Sequence, residues 1–265
     1  MPMPLVDAVI TAGGIPKPDE PLYPLTQGKS KALLDIAGQP MIQWVLDALS
    51  EAQAIRRVVV MGLDGGAAPL HCRKTISFLP NQGSMLANVK TGVQWVVDQD
   101  AAARYALIVS SDVPTITPTV LDWIVENSLQ TDHEVYYSII SQTAMERRFP
   151  GSHRSYFHFK EGTFTGGDVT LVATRLLTHV PREMNDLIEA RKSIFRQASI
   201  IGFDTLLLLA LRRLSVNDVE RVCRQRLHVP GRAIICPHAE AGMDVDKPWQ
   251  YELVKRDLES RGQTR

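Results

Sequence analysis

Asp112 follows the apolar run Ala106 to Val109 and the pair Ser110-Ser111, and precedes Val113-Pro114. A carboxylate at the end of an apolar strand has little to do with core packing. It either caps the turn before Pro114 or serves a ligand. A second acidic segment, Asp244-Val245-Asp246-Lys247-Pro248, lies near the C-terminus. Alternation puts Asp244 and Asp246 on one side of an extended segment, and both favour the positive end of the helix that Pro248 opens. At the other end of the chain, Ala12-Gly13-Gly14 closes a short β-rich run, with Lys31 beyond it. A glycine turn at the carboxyl end of a strand lets backbone N–H groups approach an anion, and a nearby lysine can neutralise a phosphate as a point charge. It is neither a GxxxxGK[ST] nor a GxGxxG sequence.

Two further segments pair polar groups with glycine. Asn81-Gln82-Gly83-Ser84 follows an apolar strand, and Ser84 stands where a helix N-cap belongs. Phe164-Thr165-Gly166-Gly167-Asp168 reads as a Gly-Gly turn between strands, or as a place where backbone comes close to a ligand whose hydroxyls Asp168 binds. The seven histidines show no HExxH and no paired ligand spacing, and no Ser-His-Asp arrangement is suggested.

The elements that must carry these residues are short apolar strands alternating with amphipathic helices. Strands are expected at Leu5–Thr11, Val58–Met61, Ile76–Leu79, Ala106–Val109 and Glu134–Ser141. A Pro-rich loop runs from Ile15 to Ser30. Helices follow Pro40 (with Ile42, Val45, Leu46 and Leu49 on one face), Ser84 (Leu86, Val89, Val93, Val97) and Pro118 (Leu121, Ile124, Val125). Tyr156–Lys160 and Val169–Ala173 are two more strands on either side of the glycines. The stretch from Arg175 to His228 reads as consecutive helices, apart from a strand signal at Ile200-Ile201. A strand at Ile234–Cys236 and a helix from Pro248 close the chain. The pattern is α/β: a mostly parallel sheet with helices on both faces, in one domain over 1–265 with a helical insertion at about 175–228.

Composition narrows the class. The chain has 265 residues, 45% hydrophobic and 22% charged, with Lys+Arg and Asp+Glu at 29 each. A zero formal charge argues against a globally basic nucleic-acid binder. Three scattered cysteines form no CxxC, which fits a reducing cytoplasm. No apolar run is long enough to span a bilayer, and Met1 to Val6 does not read as a signal peptide.

The opening ITAGG, then KSKALLDIAGQPMIQWVLDAL, resembles the sugar-phosphate and cofactor nucleotidyltransferases. That group includes N-acetylglucosamine-1-phosphate uridylyltransferases, molybdenum-cofactor guanylyltransferases and methylerythritol-phosphate cytidylyltransferases. Lys31, Leu34, Gly38, Pro40 and Met41 match the tail of the opening motif. The family's Gly-x-Arg is missing from the loop, which is longer here, and Ser30 stands where proline is usual; Lys17 or Lys29 could supply the charge. The resemblance implies a Rossmann-like sheet of the nucleotide-diphospho-sugar transferase type. It implies nucleotide binding by Ala12, Gly13, Gly14, Asn81, Gln82, Gly83 and Ser84, with the polar amides reading the base. Asp112 and Asp246 (Asp244 as second choice) would hold Mg²⁺, Lys31 would neutralise phosphate charge, and Gly166, Gly167 and Asp168 would meet the acceptor.

The implied reaction joins a nucleoside triphosphate to a phosphorylated small molecule and releases pyrophosphate. A phosphate-monoester acceptor is already mostly dianionic at neutral pH, so no general base is required. Two carboxylates sharing one Mg²⁺ must lie within about 8 Å of each other. A metal-dependent glycosyltransferase using a nucleotide-sugar, suggested by Asp244-x-Asp246, and a non-catalytic nucleotide or sugar-phosphate binder are the alternatives. Nucleic acid is not expected as a partner, and a homo-oligomer is left open.

Overall fold

The structure, a computed structural model, describes residues 3–66, 68–178, 180–189, 200 and 202–262. The strands are β1 (Val6–Thr11), β2 (Asp35–Ile36), β3 (Gln39–Pro40), β4 (Ile55–Met61), β5 (Thr75–Leu79), β6 (Tyr105–Ser110), β7 (Val135–Ser141), β8 (Phe157–Phe159), β9 (Gly162–Ala173) and β10 (Gly231–Cys236). The helices are α1 (Tyr23–Thr26), α2 (Met41–Glu51), α3 (Met85–Gln99), α4 (Pro118–Ser128), α5 (Gln142–Arg148), α6 (Thr174–Thr178), α7 (Arg182–Glu189), α8 (Phe203–Ala210), α9 (Val216–Arg226) and α10 (Pro248–Gly262).

The main sheet runs β10-β7-β9-β6-β1-β4-β5, with β8 paired to β9. Strands β5, β4, β1 and β6 are mutually parallel, as are β7 and β10, while β9 is antiparallel to β6 and β7. The expected mostly parallel α/β sheet is therefore present. Alternation along the central strands builds two cores. Ala8 and Ile10 of β1, Val58 and Val60 of β4, and Leu107 and Val109 of β6 face one side, with α2, α4 and α10. Val9, Val59, Met61 and Ala106 face the other, with Val93 and Val96 of α3. Burial on both faces is why these strands read as continuous apolar runs. Parallel pairing aligns Thr11 with Met61 and with Ser110, so three strands end at one edge. That edge is where ligands bind in open α/β sheets.

Several local expectations need correction. The 15–30 segment is not all loop: it holds α1, with Pro24 in its first turn, where a missing N–H costs nothing. The inward face of α3 uses Val93 and Val96 rather than Leu86 and Val97, and it includes Asn88 and Gly92. A Cβ on Gly92 would meet Val9 Cγ1 at 2.3 Å, so the helix lies close on β1. Gly166-Gly167 is not a turn: both lie within the single long strand β9, and the reversal comes between β8 and β9 at Lys160-Glu161. The stretch after β9 is helical where described (α6 to α9); the Ile200-Ile201 strand expectation falls largely outside the described residues. No helix among the described residues is long and apolar enough to cross a membrane.

Candidate active site

The glycine turn after β1 is gripped from three sides. Ala12 donates its N–H to Met61 O at 2.8 Å, Ser30 Oγ donates to Ala12 O at 3.1 Å, and Lys31 N–H donates to Gly14 O at 2.9 Å. Gly62, just past β4, has φ +94°, and a Cβ there would lie 2.4 Å from Gly13 Cα. Glycine is thus required at position 62 both for its conformation and for the close approach of two strand ends. Asn81 leans on Gly13 from above: its Nδ2 donates to Gly13 O at 3.2 Å. Its Oδ1 accepts from Gly83 N–H (3.0 Å) and from Asn88 Nδ2 (3.1 Å), while Asn88 Oδ1 accepts from Gln82 N–H at 2.7 Å. Asn81 therefore braces the two loops with its amide. Gln82 Nε2 donates to Pro80 O at 2.8 Å, and Ser84 Oγ caps α3 by accepting from Ala87 N–H at 3.1 Å. Gly13, Gly14 and the 81–84 loop share one strand-end edge, at the N-terminus of α3.

The acidic segments meet beside this loop. Val245 is buried and donates its N–H to Asp112 O at 2.9 Å, which ties the late segment to the exit of β6. Carboxylate oxygens of Asp112, Asp244 and Asp246 all lie within 4.8 Å of one another, inside the distance expected for a shared ion. Lys31 Nζ is 2.6 Å from Asp112 Oδ2 and in contact with Asp246 Oδ1. Burial alone would lower the Lys31 pKa; the charges of Asp112 and Asp246 outweigh it and raise the value. Asp246 N–H donates to Gln250 Oε1 at 2.9 Å, so the first turn of α10 orients the segment.

Asp168 joins the group through a β-bulge. Pairing of β7 with β9 steps from Tyr137↔Thr170 to Ile139↔Gly166, so Ser138 alone faces Gly167, Asp168 and Val169. Bulges of this kind re-aim a side chain next to functional sites. At Gly167 the space is taken by Ser138 and the Ala241 backbone, whereas at Gly166 only the end of the exposed Tyr137 side chain stands in the way. A Cβ on Gly166 would lie 2.2 Å from the Tyr137 hydroxyl, and one on Gly167 would lie 3.1 Å from Ala241 O. Asp168 has its pKa pushed up to about 7, first by burial and then by the charge of Asp112, with Arg154 opposing.

Arg154 is the residue that sequence reasoning missed. It lies in the loop between α5 and β8, without a motif around it. Its guanidinium contacts Asp244 Oδ1 and lies 3.9 Å from Asp168 Oδ2, largely buried. Asn88 and Gly62 were missed for the same reason: each looks like an ordinary helix or turn residue until the partner segment is in place. The assembled site holds four carboxylates against Lys31 and Arg154. Asp112 Oδ1 is buried without a hydrogen-bond partner in the described structure. Asp168 Oδ2 and Asp244 Oδ1, the latter ion-paired with Arg154, are likewise buried without a hydrogen-bond partner among the described residues. Clustered hard oxygen donors with unsatisfied oxygens and excess negative charge suit a divalent cation such as Mg²⁺. A cavity of about 510 Å³, lined by Gly14, Ile15, Lys31, Asp246 and Lys247 among others, opens beside the cluster. That volume falls within the range of small-molecule sites.

Residues 8–199 match the MobA-like NTP transferase domain family. The chain belongs to that family. Among solved structures, the chain resembles a hypothetical transferase from Thermus thermophilus, with 30% identity over 93% of this chain and 99% of that one, at a TM-score of 0.80. It also resembles the CMP:2-keto-3-deoxy-manno-octonic acid synthetase solved with CTP (15% identity, 97% and 99% coverage, TM-score 0.58). The 2-C-methyl-D-erythritol 4-phosphate cytidylyltransferase from Thermus thermophilus is similar at 15% identity, 97% and 99% coverage and a TM-score of 0.55. The last two show the shared fold, the nucleotide-diphospho-sugar transferase type. No curated protein matches the chain.

Proposed function

We propose that the protein is a Mg²⁺-dependent nucleotidyltransferase, working as a single domain over 1–265 with the 175–228 helices as an insertion. It joins a nucleoside triphosphate to a phosphorylated small molecule. An acceptor phosphate oxygen attacks the α-phosphorus, the bond from the α-phosphorus to the bridging oxygen breaks, and pyrophosphate leaves. The convergence of Asp112 and Asp246, 134 positions apart in sequence, onto Lys31 beside a glycine-floored strand edge carries this reading. Family membership supports it.

Each group has a role that follows from its position. Gly13 and Gly14 present a floor without side chains to the triphosphate, held in place by Gly62 and Asn81. Gln82, Gly83 and Ser84 lie at the positive end of α3 and would face the nucleotide. Asp112 and Asp246 would hold the metal, which supplies charge neutralisation at the α-phosphate when bound. Asp244 is held in its ion pair with Arg154 and orients the cluster from the side. Lys31 neutralises phosphate charge, and Asp168, on the bulge with Gly166 and Gly167, meets the acceptor. With no histidine in the cluster among the described residues, catalysis rests on positioning and electrostatics, which suits an acceptor that is already an anion.

The test is pyrophosphate release with Mg²⁺ across the four NTPs and a panel of sugar, alcohol and cofactor monophosphates. Pyrophosphate formed in step with a nucleoside-diphosphate conjugate, and lost in Asp112→Ala and Asp246→Ala, supports the reading. Transfer from a nucleotide-sugar without pyrophosphate would point to a glycosyltransferase instead.

A further inference from the structure

Lys31 holds a position that a bound metal also needs. Its Nζ lies 2.6 Å from Asp112 Oδ2 and touches Asp246 Oδ1, and both aspartates belong to the group whose oxygens lie within 4.8 Å of one another. An ion bonded to such oxygens at about 2.0–2.1 Å occupies the same small volume as the ammonium, and like charges repel at that range. We infer that Lys31 is a resident counter-ion that gives up its place between Asp112 and Asp246 to the divalent cation and moves to the nucleotide phosphates. One side chain then couples the two binding events. The inference rests on the nucleotidyltransferase reading above and adds a second role to a residue of that site.

The geometry gives Lys31 somewhere to go. Its main chain is fixed by the N–H bond to Gly14 O at 2.9 Å and by the short helical turn Lys31–Leu33. Its side chain also lines the cavity of about 510 Å³ shared with Gly14, Ile15 and Lys247. Four flexible methylenes let the ammonium swing between carboxylates and cavity without moving the backbone. Arg154 cannot take over, because it is engaged by Asp244 and Asp168 on the other side of the cluster. Before metal binds, Lys31 relieves the repulsion between Asp112 and Asp246; after metal binds, it is free to attract the triphosphate. By linkage, nucleotide must tighten metal binding by the same factor as metal tightens nucleotide binding.

The consequence runs opposite to that of losing a ligand. Replacing Lys31 by a neutral residue removes the metal's competitor, so nucleotide-free protein should bind metal more tightly. The experiment is an Mn²⁺ titration of the full chain without nucleotide, read by electron paramagnetic resonance, on wild type, Lys31→Gln, Lys31→Arg and Asp112→Asn. We expect Lys31→Gln to bind Mn²⁺ at least fivefold tighter than wild type, Lys31→Arg to bind no tighter, and Asp112→Asn to lose the site. Melting followed by circular dichroism gives a second readout: Mg²⁺ should raise the melting temperature of Lys31→Gln more than that of wild type. Lys31→Ala repeats both measurements where Lys31→Gln does not fold without metal. Equal or weaker Mn²⁺ binding by the neutral variants, with the site still lost in Asp112→Asn, overturns the counter-ion role and leaves the metal reading standing. Mn²⁺ binding that Asp112→Asn leaves unchanged, or no saturable binding in any variant, overturns both.

Discussion

Gly62→Ala is expected to damage the protein more than its surface-turn position suggests. The residue has φ +94°, and the added Cβ would sit 2.4 Å from Gly13 Cα and 2.6 Å from Gly13 N. Forcing an L-residue into that left-handed conformation costs roughly 1–2 kcal/mol. The contact is with backbone, so relief requires β1's exit to move, and overpacking of this kind costs about 1–3 kcal/mol. Together they amount to about 2–5 kcal/mol. For a domain of this size that lowers the melting temperature by roughly 5–15 °C. Displacing Gly13 also disturbs the proposed triphosphate floor, where a shift of about 1 Å can cost a hundredfold in rate. The assays are thermal melting and NTP-dependent pyrophosphate release measured well below the melting point. Gly14→Ala is the control for stability: a Cβ there meets nothing within 4 Å, so its melting temperature should stay near wild type. A Gly62→Ala variant melting within about 2 °C of wild type, with unaltered turnover, would refute the close-approach argument.

Other outcomes follow from the charge cluster. Arg154→Met leaves Asp244 and Asp168 without their cation; it should destabilise the protein by about 3 kcal/mol and cut turnover at least tenfold, measured by melting and by pyrophosphate release. Asp168 has a folded-state pKa raised to about 7 from a reference of 3.8, so its stabilising contribution is complete below about pH 4 and is lost as pH rises through 7. Melting temperature in EDTA should therefore fall from about pH 4 to about pH 7 and level off above that, and Asp168→Asn should flatten that fall. Asn88→Ala removes the brace under Asn81 and Gln82; it should raise the KM for NTP with a smaller effect on the acceptor's KM, read in the same release assay.

The parts of the site that were legible in the sequence are those whose signal is local. Asp112 directly follows an apolar strand, Gly13-Gly14 ends one, and Asp244-Val245-Asp246 alternates around a buried valine. Each announces itself within a few residues, and the sheet then brings them to one edge because parallel strands end together. What stayed hidden depends on segments meeting. Arg154 has no pattern around it and gains its role only from Asp168 and Asp244. Gly166-Gly167 reads as a turn because paired glycines usually are one. Here the closeness of Ser138 and the Ala241 backbone favours glycine at position 167 inside a strand, and the bulge there carries Asp168 into the charge cluster. The hydrogen bonds of Asn81 with Gly13, Gly83 and Asn88 are likewise visible only in the folded loop.

The claim that Asp112 and Asp246 form the metal site of a nucleotide-binding edge is tested most directly by anomalous diffraction. Crystals would be soaked with Mn²⁺ and a non-hydrolysable NTP analogue. The expected map shows one manganese peak bonded to carboxylate oxygens of Asp112 and Asp246, with the triphosphate over Gly13-Gly14 and Lys31 Nζ turned towards it. A peak elsewhere, or a triphosphate bound away from the glycine turn with Lys31 still between the two carboxylates, would contradict it.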